Sequence, residues 1–268
     1  MSRAWNSATA MIGANRSLIV VVAGLFVFLP SLVLAIFAPE TLSGPETVED
    51  PDQAMAAMTA FYSEHAGWFI ASGLVQAIGT LSLFALFGER RPTVGEALAT
   101  GLKVLLPYIL AQIVFGFLVA LVLGIPVGLA ASAGGTGMAV LVGLLALVVF
   151  LYLMVKVSLL SPVMVIDRVL NPFAALKRSW LLTKGNSLRL FLFYVLLVVA
   201  FVVVAAVVGM VSALVLALLG ESAAGVLIAG ILNGIVGSVW AVLFVGVLSA
   251  AHRQLSGPSA EAVSDTFE

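Results

Sequence analysis

Catalysis and metal binding draw on a short list of side chains, and this 268-residue sequence is poor in them. It has no cysteine and two histidines, His65 and His252. No thiolate nucleophile, disulfide or Cys-ligated metal can form. The histidines fall near opposite ends of the apolar runs described below, so they cannot share a site within them. No Asp, Glu or His lies centrally in any of those runs, which argues against a proton relay, a carboxylate cation site or an aspartyl pair for intramembrane hydrolysis. A Ser–His hydrolase needs a histidine to activate its serine, and no run supplies one. There is no Gly-rich phosphate loop with its lysine and no two-histidine zinc helix. The expectation is no catalysis, no metal and no cofactor.

The remaining polar groups are uncharged or basic. Ser72, Gln76 and Thr80 share one helical face, as do Tyr108, Gln112 and Gly116, and Asn233 sits midway along the last apolar run. In lipid such amides bond between helices for about 0.6 kcal/mol on average. The sharper alternative is a polar cavity lined by Gln76, Gln112 and Asn233. Lys156, near the end of the fourth run, is expected to snorkel, its stem in the slab and its ammonium at the headgroups; a buried ion pair is the alternative. Lys177, Arg178, Lys184 and Arg189 with Trp180 can hold anionic lipid headgroups, each cation contributing about 1 kcal/mol near an anionic leaflet. The same charges also serve simply to keep that loop inside.

These residues must be positioned by a membrane fold. Hydrophobic residues make up 62% of the chain and charged residues 9%, with a mean hydropathy of +1.22; soluble domains run near 45–50% and about 25%. That balance excludes a soluble enzyme, a nucleic-acid-binding domain and a disordered chain. About 20 apolar residues cross a ~30 Å hydrocarbon slab as a helix. Six stretches qualify: Ser17–Phe37, Ala66–Phe87, Val104–Leu123, Met138–Ser158, Leu190–Met210 and Val226–Leu248. They lack the alternation of a membrane barrel. All 12 Lys and Arg residues fall on one side of this arrangement. The opposite loops carry Glu40, Glu46, Glu49, Asp50, Asp52, Glu64 and Glu221. Under the positive-inside rule both termini are cytoplasmic. The first run is too long for a signal-peptide core, and Pro39 follows Ala38, the one plausible cleavage position; it is read as an uncleaved span.

Short amphipathic segments precede three of the spans. Asn171 caps and Pro172 starts a helix that puts Phe173, Leu176 and Trp180 on one stripe. Thr93 and Glu96 are spaced as a capping box ahead of Leu98, and Trp5, Ala8 and Ile12 form a third stripe. The fold class is therefore all-α integral membrane: six transmembrane helices with short amphipathic cytoplasmic surface helices, open to a reading as three hairpin pseudo-repeats. Residues 1–254 form one transmembrane domain, and 255–268 a polar, disordered cytoplasmic tail. Residues 131–137 read as a flexible external turn. Gly230, Gly234 and Ser238 form a small-residue stripe that admits close approach by another helix, of this chain or of a second copy.

The segment from Leu160 through Asp167, with Ala174 through Asn186, resembles the YciC-like bacterial inner-membrane proteins and a related membrane domain of some glycerophosphodiester phosphodiesterases. The matching positions are Pro162, Asp167, Arg178, Ser179, Thr183 and Asn186. The resemblance implies a bacterial inner membrane and a six-helix fold, and it carries over no activity. The leading expectation is a non-enzymatic multi-pass protein. Its basic cytoplasmic face (Lys177, Arg178, Trp180, Lys184, Arg189) would organise anionic membrane lipid or an envelope partner, a second copy included. The alternative is a transporter or permeability protein for a small uncharged or lipidic substrate, using Gln76, Gln112 and Asn233, with Pro107 and Pro126 freeing backbone carbonyls.

Overall fold

The computed structural model describes residues 2–39, 50–88, 92–133, 135–220 and 222–257. Most of the expected acidic loop residues (Glu40, Glu46, Glu49 and Glu221) and the tail beyond Gly257 lie outside them. The fold is all-α, with no strand among the described residues. In hydrocarbon a backbone must satisfy its own hydrogen bonds, and a helix does so within one segment. Among the described residues, six helices are long and apolar enough to cross a membrane.

In chain order the helices are α1 (Ser2–Ala14), α2 (Arg16–Phe37), α3 (Pro51–Glu64), α4 (Ala66–Leu86), α5 (Val94–Ala133), α6 (Gly135–Val157), α7 (Leu160–Val165), α8 (Pro172–Leu182), α9 (Ser187–Leu219) and α10 (Ala223–Ser256). The long apolar ones are α2, α4, α5, α6, α9 and α10. Two of them contain a π-turn, Gly24–Phe28 in α2 and Ala120–Gly124 in α5. Each π-turn ends two residues before a proline, Pro30 or Pro126. A proline inside a helix removes one N–H and crowds the carbonyl four residues back; local widening accommodates both.

Local signals place several helix starts as expected. The capping box at Thr93 and Glu96 is formed, with the Thr93 N–H donating to Glu96 Oε2 at 2.8 Å. Asn171 Oδ1 accepts the Ala174 N–H at 3.1 Å at the head of α8. The structure departs from expectation in four places. The segment around 92–98 is no separate surface helix; α5 runs unbroken from its cap for 40 residues, about 60 Å, so it must tilt or project beyond the slab. Residues 131–137 are helical on both sides of position 134, with Gly135 at φ +68° turning the chain directly into α6. Helix α3 occupies a stretch read as loop. Finally, α10 continues to Ser256, so Leu255 and Ser256 belong to the bundle, and Leu255 packs on its core.

The main buried cluster of the described residues lies at the end that carries the cations. Leu81, Phe84 and Phe87 of the α4 end, Ala97 and Val104 of α5, Leu159 and Val163 around α7, Ala175 of α8 and Leu248 of α10 form one buried cluster. Helix α1 lies against the end of α10, where Ile12 and Ala8 close over Gly246. The small-residue stripe finds its partner within the chain: a Cβ on Gly230 or Gly234 would meet Ala35 and Phe28 of α2 at 3.1 and 2.9 Å.

Candidate functional site

Helix α8 is the centre of the basic end. It packs across α5 and α6 and touches the short buried helix α7. Two polar contacts fix it, and a third fixes the linker before it. Arg178 Nε donates to Asp167 Oδ2. His252 Nε2, from the end of α10, donates to the same oxygen at 3.1 Å. Ser179 Oγ, fully buried, donates to the Lys156 carbonyl at 2.8 Å, where α6 ends and its last carbonyls lack helical partners. Burial alone would push the Asp167 carboxyl up; the hydrogen bonds from His252 and Arg178, with their charges, outweigh it and hold the carboxyl below its ordinary value.

This arrangement gives five of the six motif positions a place in the packing around α7 and α8. Pro162 is buried in α7. Asp167 and Arg178 tie the α7–α8 linker to α8, and Ser179 ties α8 to α6. Thr183 Oγ1 donates to the Ser179 and Trp180 carbonyls at 3.0 and 3.1 Å, closing the end of α8. Asn186 stands at the N-cap of α9, where its side chain makes no capping bond.

Lys156 departs from expectation. Instead of snorkelling to the headgroups it is 2% exposed, and it forms no ion pair with a described residue. Its ammonium lies 5.3 Å from the Tyr152 ring centroid and 5.2 Å from that of Trp180. The two rings meet edge to face. Each ring face attracts the cation, by about 2 kcal/mol when it is desolvated. This contact needs a one-turn spacing to Tyr152, which the sequence shows, and the arrival of α8, which it does not. The remaining basic residues stay outside: Lys177, Lys184 and Arg189 are exposed and pair with no described acid, beside exposed Phe173 and Trp180.

The three amides expected to line one cavity are separated. Asn233 bonds Ser212 Oγ at 3.1 Å and the Ala229 carbonyl at 2.8 Å, joining α10 to α9. Gln112 donates to Tyr108 OH at 2.7 Å, one turn back on α5. Of the three, Gln112 alone lines the large cleft, a space of about 570 Å3 walled by α4, α5, α6, α7, α9 and α10. Three polar contributors to that cleft were not anticipated, Ser158, Ser161 and Tyr194; the hydroxyls of Ser158 and Tyr194 lie 3.2 Å apart. Outside the cleft, the pairing of His252 with Asp167 was not anticipated either. Comparison with protein-family models, curated proteins and solved structures finds no match to this chain.

Proposed function

We propose that the chain is a YciC-like, non-enzymatic protein of a bacterial inner membrane. Both termini are cytoplasmic, and the basic cytoplasmic face organises anionic lipid or an envelope partner. The observation that carries this reading is the state of the cations around α8. Arg178 is engaged by Asp167, yet Lys177, Lys184 and Arg189 stay exposed and unpaired among described residues, next to two exposed aromatic rings. Anionic headgroups supply the charge this face lacks, and aromatic rings suit the interface depth.

Native mass spectrometry from nanodiscs of native lipid tests this on wild type and on Lys177→Glu with Lys184→Glu. Arg178 is left alone, because reversing it would also break the Asp167 contact. Stoichiometric anionic lipid on wild type, lost from a folded double variant, is the expected result; equal retention sinks the reading. The cleft favours a second reading, passage of a small uncharged or lipidic substrate. Uptake that survives Gln112→Leu and a bulky replacement in the cleft would argue against it.

A further inference from the structure

The large cleft has an internal order of polarity. Its polar groups are Thr80, Tyr108, Gln112, Ser158, Ser161 and Tyr194, none of which carries a charge, and among the described residues no Lys, Arg, His, Asp or Glu lines it. Most of these groups lie close to the basic end. Tyr108 is five residues beyond Lys103 on α5, Tyr194 five beyond Arg189 on α9, and Ser158 two beyond Lys156. At 1.5 Å per residue that depth is about 7–8 Å inside the level of the cations on α5 and α9. Farther along the same helices the lining becomes wholly apolar, with Phe115, Leu151, Val195 and Val198. Val155 and Val157 line the cleft, whereas the Lys156 side chain between them is turned to Tyr152 and Trp180.

We propose that this cleft binds a long-chain lipid whose head is an uncharged hydroxyl or ester group, of the diacylglycerol class. Its head meets the Tyr108–Gln112 and Ser158–Tyr194 pairs, and its chain lies along Phe115, Leu151 and Val198. The polarity of the cleft runs in the same sense as a lipid in the leaflet at the basic end. A charged phosphate placed there would lose its water and find no cation, a cost that hydroxyl and amide donors do not offset. An uncharged head needs only hydrogen-bond partners, which the two pairs provide. The volume falls in the range of ordinary small-molecule sites. This site is separate from the basic face, and the inference stands whether or not that face holds anionic lipid.

The test uses the full chain in phosphatidylcholine nanodiscs, with diazirine-tagged diacylglycerol and diazirine-tagged phosphatidylglycerol as probes and peptide mapping of the adducts. The diacylglycerol probe should label the segments 151–161 and 191–199, and unlabelled diacylglycerol should compete it away. Tyr194→Phe keeps the ring and removes one hydroxyl, so capture should weaken roughly five- to tenfold, the scale of one hydrogen bond. Val198→Phe fills space at a position that is already 44% exposed and should abolish capture without unfolding the protein. Equal labelling of the cleft by phosphatidylglycerol overturns the proposal. So does diacylglycerol labelling that is spread over the outer faces of α6 and α9, or that is indifferent to Val198→Phe.

Discussion

At the basic end Leu81, Phe84 and Phe87 are each 1% exposed, while Leu144, Leu145 and Val148 of α6 and Val203 and Met210 of α9 are 57–72% exposed. Both groups are equally apolar. In water the second would be an intolerable patch; in hydrocarbon a leucine gains nothing by leaving lipid for protein. Hydropathy therefore separates membrane from water and says little about inside against outside. What distinguishes the packed end is size and polarity. Ala97, Gly101, Ala175 and Gly246 let backbones approach, and Ser82, Ser179 and Thr183 spend their hydroxyls on backbone carbonyls.

The sharpest way to break this contrast is to add bulk at matched glycines. A Cβ at Gly79 would fall 2.2 Å from Phe26 Cβ, and one at Gly101 would fall 2.4 Å from Ser82 Oγ and 2.9 Å from the Ile78 carbonyl. Gly143 and Gly209 have nothing within 4 Å. Gly79→Val or Gly101→Val should cost about 2–3 kcal/mol or prevent folding, against about 0.5 kcal/mol or less for Gly143→Val and Gly209→Val. Thermal unfolding in one detergent compares them, and equal losses would mean that the two regions are packed alike.

A middle-sized effect is expected at the polar clamp. Asp167→Asn or His252→Ala removes charge-assisted bonds from a partly solvated group and should cost about 1–3 kcal/mol. The acid response follows in sign. Because the folded protein holds the Asp167 carboxyl low, its stabilisation is fully present above the ordinary carboxylate range, near pH 4. It is lost as pH falls through the lowered folded value, since the unfolded chain takes up the proton first. Midpoints measured from pH 6 downward should show this component in wild type and lack it in Asp167→Asn. The smallest effect belongs to the sparsely packed region: Asn233→Ala loses an interhelical bond to Ser212, about 0.6 kcal/mol, so a loss above 2 kcal/mol would show that end to be more tightly coupled than its exposure indicates.

The six long helices were legible because a backbone in hydrocarbon leaves only one economical solution, and the caps at Thr93 and Asn171 because they act over three residues. The cation-rich α8 was also legible as an amphipathic segment. Its partners were not. Asp167 and His252 are 85 residues apart, and no periodicity links them, although an acid stranded among cations was a signal that it needed company. Residues 131–137 misled because Gly and Ser report permissiveness, which a tight interhelical turn exploits as readily as a loop. The three amides could be assigned to the slab, but their separation depends on helix rotation, which near-uniform apolar faces do not encode.

The seating of α1 on α10 has a consequence in time. Ala8 and Ile12 meet Gly246 only after some 240 further residues have been made, which at about 5–20 residues per second is roughly 10–50 s. Throughout that interval an early amphipathic helix is without its seat. Helix α10, made after the other described helices, is thus the one that meets most of them, contacting α1, α2, α4, α7, α8 and α9.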